Sequence, residues 1–249
     1  MTASRATVDR FYQQHPPDEK WAAVDKYALS HLHPPSRSNH SILQQAAAES
    51  TAKGLQPIAS PTAQAKFFAL QCQMLKARHV LEFGTLGGYT AIWLATENPQ
   101  LRVTTLEYNP HTAAVAKENF AAAGVSDRVE CIVGPALDAM PQLYEDVASG
   151  RKAKIDFAFV DADKSNNWNY FDWAVKMARP GACIVVDNVV LWGYLAHEKI
   201  PDEWEMLEDM LQGAREVVEK VGRDERVEAM VMQTVGEKGY DGFLMAVVK

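Results

Sequence analysis

Cysteine is scarce in this chain. Its three residues, Cys72, Cys131 and Cys183, are odd in number and far apart, which excludes a disulfide framework or a paired-cysteine zinc site. They read as buried free thiols in a reducing compartment. No run of Lys or Arg occurs, and the formal net charge is −7, so the clustered positive charge that nucleic acid requires is absent. No apolar run approaches a membrane span, and Met1 to Gln14 lacks the apolar centre of a signal peptide. Arg5 and Arg10 stand among Ser and Thr as a transit peptide would have them, but Asp9 breaks that pattern. The expected compartment is the cytosol, with mitochondrial targeting as the alternative. Internal repeats, low-complexity tracts and an obvious linker are also missing.

What remains is an ordinary soluble composition, 47% hydrophobic and 23% charged. Residues 18–32 and 41–53 read as helices, separated by a proline-containing connector with His31, His33 and His40 in or beside it. Gly54 is a natural terminator for the second helix. A further helix is expected over 62–76. From His79 onward short apolar strands alternate with helices: HVLEF, LRVTTLE, RVECIV, IDFAFVDAD and ACIVVDN are the strands. Helices are expected at YTAIWLATE, HTAAVAKENFAAAG, ALDAMPQLYEDVA and NNWNYFDWAVKMARPG. A final helix over 202–221 carries an apolar stripe of Trp204, Leu207, Leu211, Ala214, Val218 and Val221. RVEAMVMQTV and GFLMAVV, joined by GEKGYD, read as an antiparallel hairpin. This alternation predicts an α/β fold with a doubly wound, mostly parallel sheet covered on both faces.

Ligands of such sheets bind beyond the carboxyl ends of the strands. Those ends carry EFGTLGGYT, Glu107, Gly134-Pro135-Ala136, Asp161-Ala-Asp163-Lys164 and Asp187-Asn188. Turn chemistry alone accounts for one or two acids; a row along one edge implies a site. The glycine loop lets a ligand approach backbone amides and a helix start. Leu86 stands where a dinucleotide fingerprint has glycine. Glu107 suits two ribose hydroxyls, so an adenosine-bearing ligand without pyrophosphate is expected. Asp161, Asp187 and Asn188 are hard oxygen donors of the kind that hold Mg²⁺ with open positions. A cation there would lower the Lys164 pKa towards that of a usable base.

VLEFGTLGGYTAIWLA, VTTLE, IDFAFVDADKSNNWNYFDWAV and GACIVVDNVVLWG together resemble the cation-dependent class I S-adenosylmethionine O-methyltransferases of the catechol and caffeoyl-CoA type. The resemblance runs from about Gly54 to Lys249 and implies a seven-stranded Rossmann-like methyltransferase domain over 54–249. Residues 1–53 would form a helical lid and dimer segment, making a homodimer. It further implies that Asp161, Asp187 and Asn188 ligate Mg²⁺, or another divalent ion such as Mn²⁺ or Ca²⁺, and that Lys164 is the base beside Asp161. Ser60, Glu82, Gly84, Thr85, Tyr89, Thr90, Glu107, Ala136, Asp161 and Asp163 would hold S-adenosylmethionine. The acceptor would be a vicinal dihydroxy aromatic of catechol, caffeoyl or flavonoid type. Two departures stand out. Ala65 takes a position that is usually Gly in the family, which is expected to tighten a turn. The segment after Asn188 matches neither named type, and within it Trp192 is the candidate wall for the aromatic ring. The rival readings are an NAD(P)-dependent oxidoreductase, an inactive S-adenosylmethionine-binding module and a nucleic-acid methyltransferase. The missing fingerprint, the intact Asp161, Lys164, Asp187 and Asn188 set, and the acidic balance weigh against them in turn.

Overall fold

The computed structural model describes residues 15–197, 204 and 207–249. Helices α1 (Glu19–Leu32), α2 (His40–Ala52) and α3 (Thr62–Leu75) precede the sheet. Then come β1 (His79–Phe83), α4 (Tyr89–Glu97), β2 (Arg102–Glu107), α5 (Pro110–Ala122), β3 (Val129–Val133), α6 (Ala136–Ala148) and β4 (Ile155–Val160). A 3₁₀ turn at Lys164–Asn166 leads into α7 (Asn167–Met177), followed by β5 (Ala178–Val186) and a second 3₁₀ stretch at Leu191–Ala196. Helix α8 (Glu208–Val221) and the strands β6 (Val227–Gly236) and β7 (Gly239–Val248) complete the chain.

The sheet has seven strands in the order β3-β2-β1-β4-β5-β7-β6. The first five are parallel, and β7 runs antiparallel to both β5 and β6. Strand order therefore reverses between β1 and β4, where a crevice opens in folds of this kind. One face of the sheet packs Leu81, Phe83, Leu106 and Ile184 against Met140, Phe171 and Leu211 from α6, α7 and α8. The other packs Val80, Phe157 and Phe159 against Phe68, Trp93 and Phe120 from α3, α4 and α5. β1 and β4 are buried at every position, as continuous apolar strands with both faces covered must be.

Local corrections have simple causes. The expected helix through MARPG stops at Met177, and Ala178 to Gly181 begin β5 instead. Proline 180 cannot supply a helical N–H, and Gly181 adopts a positive φ of 76°. In the final helix, residues 202, 203, 205 and 206 lie outside the described residues. Its inward stripe uses Val217 and Gly213 in addition to Leu211, Ala214 and Val221, while Val218 is only half-buried. Ala65 lies within helix α3, one turn from its start, and is fully buried. The hairpin is tighter than expected, with only Glu237 and Lys238 between the strands, so Gly239, Tyr240 and Asp241 belong to β7. Cys72 and Cys183 are buried free thiols, and Cys131 is half-buried. Among the described residues no helix is long and apolar enough to cross a membrane.

Candidate active site

The carboxyl ends of β1, β2, β4 and β5 meet at the reversal of strand order. Backbone bonds stitch them together: Gly84 N donates to the Leu106 carbonyl (3.0 Å), Asp161 N to Phe83 (2.8 Å) and Asp187 N to Val160 (2.9 Å). Gly84 is required here. A β-carbon on it would lie 2.1 Å from the Asp161 carbonyl oxygen, and its φ is +94°. The loop then passes through Leu86 at φ 48° and Gly88 at φ 80° into α4.

Glu107 clamps this loop. One carboxylate oxygen accepts the N–H of Leu86 (2.9 Å) and the other accepts the N–H of Asn109 (2.9 Å). Each oxygen keeps a second lone pair for a ligand. Glu82 is almost wholly buried and accepts a bond from the Thr105 hydroxyl (2.6 Å), which in turn pairs with Thr85 (2.7 Å). Burial, with the Asp161 and Glu107 charges adding to it, pushes the Glu82 carboxyl up to about 8. Ser60 and Thr90 share a buried hydroxyl contact of 3.1 Å, and the Tyr89 hydroxyl meets that of Thr62 at 3.2 Å. Ala136 is the first residue of α6. Asp163 is exposed and accepts bonds from Tyr170 and Asn166.

Asp161 and Lys164 form an ion pair at 2.6 Å, with Lys164 only 8% exposed. Burial works against the Lys164 charge, but Asp161, Asp187 and Asp241 outweigh it and raise its pKa. The carboxylates thus hold the lysine in its ammonium form, and the lowering expected from the sequence concerns a cation bound to them. Asp187 accepts a bond from Gln64 (2.7 Å). Burial first, and then the Asp161 charge, push its carboxyl well above the usual carboxylate range. Asn188, at φ 55°, turns its amide nitrogen to Asp241 (2.9 Å). That use of the nitrogen leaves the carbonyl oxygen as the end available to a ligand.

Among the described residues no group of three His, Cys, Asp or Glu side chains is arranged as a metal centre. The donor set nevertheless fits a divalent cation. Two neighbouring carboxylates, Asp161 and the buried Asp187, share the single ammonium of Lys164, and an amide oxygen is added to them. His33 of the connector packs at a tilt against Trp93 (ring centroids 4.4 Å apart) and stacks on His40 (5.6 Å) instead of converging with other ligands.

Four residues of this site were not anticipated. Asp241 on β7 accepts the N–H of Leu191 (2.8 Å) and of Gly242 (2.8 Å) besides the Asn188 amide, so it holds the 188–193 loop. Gly213 on α8 lets the helix reach the Lys164 backbone, where a β-carbon would lie 1.9 Å from the carbonyl oxygen. Gln64 and Lys238 approach from α3 and the hairpin. Trp192, at φ 54°, lies beside Gly239 and near His15, with ring centroids 6.2 Å apart.

The family model described as O-methyltransferase matches residues 34–246. The chain is 49% identical over 251 residues to O-methyltransferase imqG of Aspergillus flavus, covering 100% of both chains. It is 43% identical to a catechol O-methyltransferase of Mycobacterium tuberculosis, over 95% of this chain and 98% of that one. Among solved structures, an O-methyltransferase of Bacillus cereus in complex with SAH superposes with a TM-score of 0.83. That protein is 41% identical, over 93% of this chain and 99% of its own.

Proposed function

The chain belongs to the O-methyltransferase family, as a Rossmann-like, S-adenosylmethionine-dependent class I enzyme, and on that footing we propose that it methylates one hydroxyl of a vicinal dihydroxy aromatic with help from a divalent cation. The observation that carries this reading is the pairing of Lys164 with Asp161, beside Asp187 and Asn188, at the edge that also carries the glycine loop. Ser60, Glu82, Gly84, Thr85, Tyr89, Thr90, Glu107, Ala136, Asp161 and Asp163 are proposed to cradle the methyl donor. Glu107 would hold the ribose while keeping the glycine loop in place.

Asp161, Asp187 and the Asn188 oxygen would hold Mg²⁺ or a similar ion. When bound, the ion supplies Lewis-acid stabilisation of an ionised phenol. An ordinary phenol has a pKa near 10, so a base is needed at neutral pH. Lys164 Nζ is placed to take that proton. The carboxylates around it favour its ammonium form, and a cation held by them would remove that support. The bound methyl donor would supply its methyl group to the phenolate oxygen, the carbon–sulfur bond breaking as the new bond forms. Sulfur leaves as a neutral thioether, so no protein acid is required. Trp192 would wall one side of the acceptor ring, with Asp241 fixing the loop that presents it.

The same reading takes the protein to be a cytosolic homodimer with residues 1–53 as lid and contact segment. In support, α1 buries none of its own residues, and Val24, Tyr27 and Leu32 are each about two-thirds exposed or more. The test is a panel of catechol, caffeoyl esters and flavonoids with S-adenosylmethionine, assayed with and without Mg²⁺. Methylation of diols that requires the ion is expected. Methylation that is indifferent to the ion, or confined to monohydroxy acceptors, would overturn the reading.

A further inference from the structure

A lysine at a hairpin tip ordinarily extends its ammonium group into water. Lys238, one of the two residues between β6 and β7, turns inward instead and donates a hydrogen bond to the Ala59 carbonyl. Its neighbours fix that direction. Glu237 N donates to Asp25 on α1 (2.9 Å), and the Glu237 side chain accepts the N–H of Thr62 (3.3 Å). The tip is thus clasped between α1 and the 59–62 segment, above the carboxyl ends of β4 and β5.

The charge on Lys238 is poorly answered. Its bonded partner is a neutral carbonyl, and among the described residues no carboxylate comes within 4.0 Å of it. Burial pushes its pKa down, while Glu237, Asp161 and Asp187 act on it from a distance in the opposite direction. A half-buried cation that faces the acceptor region and lacks a direct counter-ion suits an anionic group on a ligand. The ring wall is adjacent: a β-carbon on Gly239, the next residue, would lie 3.3 Å from the Trp192 indole nitrogen. An acceptor ring lying against Trp192 would therefore carry its substituents towards Lys238.

We propose that Lys238 is a specificity residue that recognises a carboxylate on the aromatic acceptor. The inference rests on the diol-methylation reading given above. Nearby Ser60 is a proposed cofactor residue, so the methyl donor's own carboxylate is the other source of the same chemistry.

The experiment measures binding of 3,4-dihydroxybenzoate and of its methyl ester by calorimetry, with Mg²⁺ and S-adenosylhomocysteine present. It uses the full-length protein, Lys238→Met and Lys238→Arg. A charge-assisted bond at a half-buried site is worth about tenfold in affinity, or about 1.4 kcal/mol. The wild type is expected to favour the acid over the ester by about that factor. The preference should vanish in Lys238→Met and be partly kept in Lys238→Arg. A wild type with no preference, or a preference unchanged in Lys238→Met, overturns the assignment. So does a Lys238→Met variant that keeps the preference and loses S-adenosylhomocysteine affinity, which gives the lysine to the cofactor. Catechol itself is the control. If it is methylated while the preference test fails, only the lysine assignment falls. If catechol is not methylated and neither benzoate binds, the functional reading falls and the inference with it.

Discussion

Gly84→Ala puts the geometry of the strand-end crevice to a quantitative test. The added methyl group would sit 2.1 Å from the Asp161 carbonyl oxygen and 2.8 Å from its carbon, both backbone atoms that no rotamer change can move. At φ +94° alanine is also strained in itself. Overpacking typically costs about 1–3 kcal/mol and the left-handed conformation about 1–2 kcal/mol, so a loss of roughly 2–5 kcal/mol is expected. For a chain of this size that is a fall in melting temperature of roughly 4–20 °C. Gly124→Ala is the matched control: its φ is +66°, but nothing lies within 4 Å of the added carbon. It carries only the strain term, about 1–2 kcal/mol. The steric push on Asp161 should also weaken S-adenosylhomocysteine binding in Gly84→Ala alone. Differential scanning fluorimetry and calorimetry read both effects. Should Gly84→Ala melt no lower than Gly124→Ala and bind the cofactor product equally well, the close approach of β1 and β4 is not as described.

Lys164→Ala should lose turnover by about 10²–10⁴ and regain part of it at high pH, where hydroxide can take the proton; near-normal turnover at neutral pH would make it a structural charge. Asp187→Ala should shift the Mg²⁺ requirement to higher concentration, read from initial rates across a metal titration. Gly213→Ala forces α8 away from the Lys164 carbonyl and should lower kcat more than it raises the KM for the acceptor. Glu82 has a folded-state pKa of about 8 against an ordinary value of 4.5. The folded protein therefore keeps a proton that the unfolded chain has released, and this contribution is full below about pH 4.5 and lost as pH rises to about 8. Melting of Glu82→Gln, which cannot titrate, should gain on wild type steadily between pH 5 and pH 8 in a melting series. A constant gap would show that Glu82 is not held neutral.

The order of elements was legible because β1, β2 and β4 are short apolar strands punctuated by Gly84, Glu107 and Asp161. The same regularity brought the acids to one edge, since strands of a parallel sheet all end on the same side. Long-range partners left no local trace. Asp241 reads in sequence as part of a Gly-Tyr-Asp-Gly turn, yet it pairs with Thr234 in the hairpin and anchors Asn188, 53 residues away along the chain. Gly213 reads as an interruption in an amphipathic helix, and only the approach of Lys164 explains it. Lys238 lies within the GEKGYD connection of the hairpin and has no apolar pattern around it. Its inward turn depends on the carbonyl of Ala59, which no periodicity reveals. The convergence of three carboxylates, Asp161, Asp187 and Asp241, on Lys164 also needs the fold, because Asp241 comes from β7.

The central claim is that Asp161, Asp187 and Asn188 recruit a divalent ion to ionise and orient a vicinal diol at Lys164. Its most direct measurement is the initial rate of methyl transfer from S-adenosylmethionine to catechol and to its mono-methyl ether, using EDTA-stripped protein before and after Mg²⁺ is restored. The account predicts negligible transfer to catechol without the ion, recovery on adding it, and far slower transfer to the mono-ether throughout, with S-adenosylhomocysteine binding retained in EDTA. Equal rates for catechol with and without the ion, or equal rates for the diol and the mono-ether in its presence, would contradict it.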